Sequence, residues 1–186
     1  MIANNSNGPR HAAWRDHHWW SKDGIRLHAR VYGTAAAAEP AGAGAEAAGA
    51  AGAAGSAAEG ATPIPGLPIL CLSGLTRNAR DFDRLAPHCA ERRAVYAIDF
   101  RGRGDSGYAK DAMTYGPLTY VQDVVALLDE LACARCIVVG TSLGGIVAML
   151  LAATQPGRVA GAVLNDIGPV IEPAGLDRIR DRKSVV

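Results

Sequence analysis

Gly140-Thr141-Ser142-Leu143-Gly144 places a serine two residues from a glycine on either side, between one apolar run that ends at Val139 and another that begins at Ile146. A hydroxyl acts as a nucleophile only where it stands clear of its neighbours. The flanking glycines remove the side chains that would clash with a serine pushed into a sharp strand-to-helix turn. At the start of the following helix the Leu143 N–H is an unpaired donor near the positive end of the helix dipole, a place that favours an oxyanion. Ser142 is therefore the candidate nucleophile, Leu143 a candidate oxyanion-hole donor, and acyl transfer the candidate chemistry.

The same residues admit three other uses. Gly140, Gly144 and Gly145 follow a predicted strand and open a predicted helix, and Asp166 ends the next strand at about the distance of a ribose-binding acid. That is the outline of an NAD(P)-binding oxidoreductase, but residues 146–149 lack the last glycine of the fingerprint. No charge falls between Arg135 and Arg158, and Gly140 and Gly144 also form G-x-x-x-G, as in a membrane span. Thr-Ser-Leu-Gly-Gly is nevertheless turn chemistry, and a buried strand followed by a buried helix has the same hydropathy. The third use is a structural turn in a non-catalytic domain.

The elements that must position the serine are legible on both sides of it. "GIRLHARVYG" alternates as a strand, with Ile25, Leu27, Ala29 and Val31 on one face, and "HHWWSKDG" is its hairpin partner, turned at Asp23-Gly24. Later, short apolar runs alternate with longer amphipathic ones. "PILCLSG", "AVYAIDF", "CIVVG" and "VAGAVLND" read as strands, while "ARDFDRLAPHCAER", "TYVQDVVALLDELA" and "GGIVAMLLAATQ" read as helices. Such alternation implies right-handed crossovers. The fold class is α/β: a mostly parallel sheet with helices on both faces and an antiparallel hairpin at its N-terminal edge. Residues 35–61, almost wholly Ala and Gly, bury too little area to offset the entropy of ordering and are expected to form a flexible surface insertion.

Composition removes several function classes. The 186 residues, 49% hydrophobic, suffice for one domain. Nineteen Lys and Arg against 18 Asp and Glu give no global attraction to nucleic acid or an acidic membrane. The first 20 residues lack the apolar core of a secretory signal, so a cytoplasmic location is expected. Cys71, Cys89, Cys133 and Cys136 are read as small buried hydrophobes, because Cys133-Ala-Arg-Cys136 closes a helical pattern instead of opening one as a redox pair would. "WRDHHWW", with His17 and His18, suits an edge hairpin burying Trp faces better than a metal or stacking site. "RGRGDSG" is expected to be a tight turn, its glycines supplying positive φ and Asp99 or Asp105 anchoring backbone N–H groups, and neither an adhesion nor an RNA motif.

"SGLTRNARDF", "DFRGRGDSG" and "GTSLGG", in that order, resemble the α/β-hydrolase superfamily in its serine-nucleophile branch: the loops after the third and fourth strands and the elbow after the fifth. The likeness covers residues 19–179 apart from the insertion. It implies a hydrolase of esters, lactones or related carbonyls acting on a small-molecule substrate through an acyl-enzyme, with no metal, no organic cofactor, no nucleic acid and no membrane partner. It also implies that the Leu75 N–H is the second oxyanion donor, although Ser73-Gly74 stands where many members have His-Gly. The serine at the elbow separates the chain from the epoxide hydrolase and haloalkane dehalogenase branches, whose nucleophile is Asp.

In that superfamily the triad runs Ser, then an acid, then His. All five histidines of this chain (His11, His17, His18, His28 and His88) precede Ser142, and Asp166 is the one acid placed for a variant arrangement. Residues 1–186 are therefore expected to be a single incomplete domain, C-terminally truncated and lacking most of its own activity. Residues 181–186, "DRKSVV", read as a translated sequencing adapter, a suspected non-native tail. Oligomeric state and substrate are left open.

Overall fold

The computed structural model describes residues 14–33, 66–168 and 170. The expectations for residues 35–61 and 181–186 lie outside the described residues. The strands are β1 (Trp14–Trp20), β2 (Arg26–Tyr32), β3 (Ile69–Leu72), β4 (Val95–Asp99), β5 (Cys136–Thr141) and β6 (Val159–Asn165). They form one sheet in the order β1-β2-β4-β3-β5-β6. β1, β2 and β4 pair antiparallel, and β4, β3, β5 and β6 run parallel. The hairpin turn is where the sequence puts it, with Gly24 at φ 78° and the Ser21 N–H donating to the Ile25 carbonyl.

Helices cover both faces. α2 (Pro117–Glu130) and α3 (Leu143–Thr154) pack on one, where Trp19, Leu70, Leu72, Tyr96, Leu127, Val138 and Val147 share a core. On the other face a 3₁₀ turn (Ala79–Phe82) and the short α1 (Ala86–Ala90) set Phe82 and Ala86 against Cys71, Val95 and Ala97. The sequence pattern called for one longer helix through this second segment. Pro87 decides otherwise: it lacks an N–H and is tolerated only in a helix's first turn, so α1 begins at Ala86. Among the described residues no helix is long and apolar enough to cross a membrane.

β2 departs from the half-buried strand its alternation suggests. All its residues except Arg26 are buried, including His28 at 0% exposure and Arg30. Each buried charge is matched. Arg30 donates from Nη1 to both oxygens of Asp83, which also accepts from the Tyr32 hydroxyl. His28 is gripped at both nitrogens, Nδ1 on Asp99 and Nε2 on Asp16, each at 2.7 Å, and two carboxylate partners favour the doubly protonated ring. Of the three tryptophans only Trp19 is fully buried, its indole N–H on the Asp123 carbonyl. Trp20 is 64% exposed and Trp14 lies under the Arg30 guanidinium, so the hairpin buries one Trp face where the sequence suggested more.

Burial works against the charged His28 ring, but its bonds to Asp99 and Asp16 outweigh that and hold its pKa above the ordinary histidine value. Burial likewise opposes ionisation of Asp99, and His28 with the Ala79 and Asp105 N–H groups overcomes it, so Asp99 lies below the usual carboxylate value. Asp105, His17 and His18 complete the titratable surroundings of His28. The histidine's contribution to stability is whole below its unfolded value of about 6.5 and lost as pH rises through the higher folded value. The aspartate's is whole above about 3.9 and lost as pH falls through the lower folded value. Thermal unfolding across this range should show wild type losing more stability than His28→Gln from neutral to alkaline pH. A constant difference between the two would mean that the ring is not held charged.

Candidate active site

The loops after β3, β4 and β5 all leave the same end of the parallel strands, the end at which ligands bind in open α/β sheets. Ser142 sits where β5 turns into α3, at φ 50° and ψ −112°, a region that costs a non-glycine residue about 1–3 kcal/mol. The surrounding backbone imposes that conformation. A methyl on Gly140 would fall 2.5 Å from the Gly144 carbonyl oxygen, and one on Gly144 would overlap that of Leu72. α3 therefore starts in direct backbone contact with β3 and β5, and the chain passes between them only by way of a strained residue. The Ser142 N–H donates to the Asn165 carbonyl, which ties the elbow to the end of β6.

Serine at a helix N-cap ordinarily spends its hydroxyl on the N2 or N3 amide. Ser142 makes no such side-chain bond, so its half-buried hydroxyl remains available. The Leu143 and Leu75 N–H groups also have no acceptor among the described residues. Gly74 brings the β3 loop to the elbow: a methyl there would lie 3.8 Å from the Ser142 Cβ. The loop is closed by the Arg77 N–H on the Gly74 carbonyl, and Ser73 beneath it is fully buried with no partner for its hydroxyl. Ser142, Leu143 and Leu75 are thus brought together. Asp166 is exposed at the end of β6 with φ 57°, and no side-chain bond links it to the elbow.

The "RGRGDSG" segment is a turn with Gly102 at φ 71° and Gly104 at φ 53°, and Asp99 is its anchor, accepting from the Ala79 and Asp105 N–H groups. Its arginines hold more than sequence reasoning assigned them. Buried Arg101 joins the hairpin to α2 by pairing with Asp123 and Asp23, and its bonds hold Asp23 at about 2. Arg103 reaches the β3 loop and donates from Nε to the Leu75 carbonyl. The alternation of apolar residues carries no signal for either contact.

Other chemistries find less here. His28, Asp99 and Asp105 have donor atoms within 4.8 Å of one another, but both His28 nitrogens and both Asp99 oxygens are engaged, and the N–H groups on Asp99 repel a cation. A dinucleotide loop needs glycine faces open to a pyrophosphate, whereas those of Gly140 and Gly144 are filled by the chain's own backbone. All four cysteines are free; Cys71 and Cys136 are buried with their thiols pushed up to about 12 by burial, while Cys89 and Cys133 are only partly buried. A cleft of about 210 Å³ between the hairpin turn and α2 includes Arg101 but no elbow residue.

Comparison with known proteins agrees with the fold. Residues 69–184 match the model of the Alpha/beta hydrolase family. The chain is 38% identical to a 3-hydroxybutyrate-oligomer hydrolase of Cupriavidus necator over 60% of its own length and 38% of the relative's. It is 39% identical to the sn-1-specific diacylglycerol lipase ABHD11 of Mus musculus over 55% of its length and 33% of the relative's. A crystal structure of an alpha/beta hydrolase from Novosphingobium aromaticivorans superposes with a TM-score of 0.72 at 45% identity, covering 91% of this chain and 50% of that one. The chain thus spans half or less of the length of each.

The glycine contacts set a test of the elbow. Gly144→Ala should cost about 3 kcal/mol or more in urea unfolding, because the clash is with backbone. Gly157→Ala, with nothing within 4 Å of the added methyl, should stay within about 0.5 kcal/mol of wild type.

Proposed function

The chain belongs to the alpha/beta hydrolase family, and from that premise we propose that it carries the nucleophile half of a serine hydrolase acting on an ester, lactone or related carbonyl. The observation that carries the proposal is Ser142 at φ 50° with its hydroxyl unused for capping, beside two unpaired backbone N–H groups. In the reaction the Ser142 Oγ attacks the carbonyl carbon, and the carbonyl oxygen becomes an oxyanion held by the Leu143 and Leu75 N–H groups. Removing one such donor costs about 3 kcal/mol of transition-state stabilisation. Collapse of the tetrahedral adduct expels the alcohol and leaves an acyl-serine, which water then cleaves.

The attack needs a base to take the hydroxyl proton, and a base needs an orienting acid. Every histidine of these 186 residues precedes Ser142, and His28 is committed at both nitrogens to Asp99 and Asp16. The base is therefore assigned to a histidine outside these residues, Asp166 is kept as the variant acid, and the 186 residues by themselves are assigned little turnover. The substrate is a small molecule and the setting cytoplasmic.

A fluorophosphonate probe tests the assignment on two proteins, the 186-residue chain and the longest reading frame of the locus that contains it. Labelling of the longer protein, abolished by Ser142→Ala and weak or absent in the 186-residue chain, is the expected result. Labelling that survives Ser142→Ala, or none in either protein, overturns it.

A further inference from the structure

Arg103 stands on the loop that follows β4, at the ligand-binding end of the sheet. Its Nε donates to the Leu75 carbonyl, its Nη1 donates to the Tyr120 hydroxyl at 3.3 Å, and its guanidinium carbon lies 5.5 Å from the centroid of the buried Tyr120 ring. Two residues, Leu75 and Tyr120, hold a half-buried cation in place. Yet no carboxylate pairs with it among the described residues. The contrast with its neighbours is local: Arg101, two residues earlier, has two carboxylates, and Arg30 on β2 has one. Asp105, two residues later, turns its backbone N–H to Asp99 and leaves Arg103 alone.

A guanidinium has five N–H donors, and these contacts use two of them. The remainder can meet both oxygens of one carboxylate, the geometry in which arginine binds most strongly. The carbonyl it holds is that of Leu75, next to Gly74, which packs on Ser142. The cation is therefore linked to the serine through the Leu75 and Gly74 loop.

We propose that Arg103 is the substrate-recognition residue of this site and binds a carboxylate, so that the substrate is an ester with a free acid group: a half-ester of a diacid or an ester of a hydroxy acid. The carbonyl end of that assignment rests on the serine hydrolase reading; binding of the carboxylate does not. If Arg103 served only to position the Leu75 peptide, acidic and neutral ligands would feel its loss alike. If it binds carboxylate, the difference between them depends on it.

Monomethyl glutarate and its neutral counterpart dimethyl glutarate make the test, titrated into the Ser142→Ala chain so that neither is consumed, with the Arg103 Nε–H followed by NMR after ¹⁵N-arginine labelling. The expected result is a saturable shift of the Arg103 resonance with the half-ester, which binds about tenfold or more tightly than the diester, a preference lost in Arg103→Gln and partly kept in Arg103→Lys. Equal binding of the two esters, binding of neither, or a preference that survives Arg103→Gln overturns the proposal. Should Arg103→Gln fail to fold, the titration of the Ser142→Ala chain decides by itself. Fluorophosphonate labelling of the longest reading frame reads the serine separately: a half-ester preference without labelling of that protein leaves the carboxylate site and removes the hydrolase, and labelling without a preference does the reverse.

Discussion

The site depends on one backbone contact. Gly144 at the start of α3 lies against the Leu72 carbonyl of β3, and Gly140 at the end of β5 lies against Gly144. A helix can start this close to a sheet only where neither partner has a side chain, and the residue between them then has to turn through a left-handed conformation. Ser142 is that residue. The strain is offset by the packing that enforces it: Leu143, Val147, Ala148 and Leu151 fix α3 against a core that also holds Leu70, Leu72 and Val138. The free hydroxyl, the unpaired Leu143 N–H and the seat for the Gly74 loop all follow from the same approach of helix to sheet.

A second layer of order comes from charge placed where burial would otherwise forbid it. β2 lies between β1 and β4 and has no solvent face, so its polar positions had to be matched or replaced. His28 joins β1 to β4 through Asp16 and Asp99, Arg30 and Tyr32 join β2 to Asp83, and Arg101 joins the hairpin turn to α2. Buried pairs of this kind add little net stability compared with apolar residues, but breaking one leaves a charge stranded, so they favour a single register of the hairpin. Asp99 has the largest share, holding His28, the turn before α1 and the turn after β4 at once.

Arg103 differs from Arg101 in this respect. It lies on the same turn as Arg101, is held by the Leu75 carbonyl and the Tyr120 hydroxyl, and pairs with no carboxylate among the described residues. A cation fixed with no carboxylate among the described residues, beside the proposed site, would suit a binding group, because the cost of ordering it is met before a ligand arrives. The loop that carries it is shaped by Gly102 and Gly104 and anchored by Asp99, so the core's charge network also sets where a substrate would be gripped.

Much of this was legible in the residues alone. The alternation of apolar runs, the Asp23-Gly24 turn and Gly-x-Ser-x-Gly between a strand and a helix are local patterns, and local patterns determine local geometry: an α/β chain, a hairpin at its edge and a serine on an elbow. What the tertiary structure decided is non-local. Pro87 cut a helix that periodicity had drawn longer; the position of β2 inside the sheet buried His28 and Arg30; and one loop set Arg101 among carboxylates and Arg103, among the described residues, beside none. Periodicity reports which side of an element faces the core, but a charge pair depends on which distant elements become neighbours, and that is settled only when the sheet is assembled.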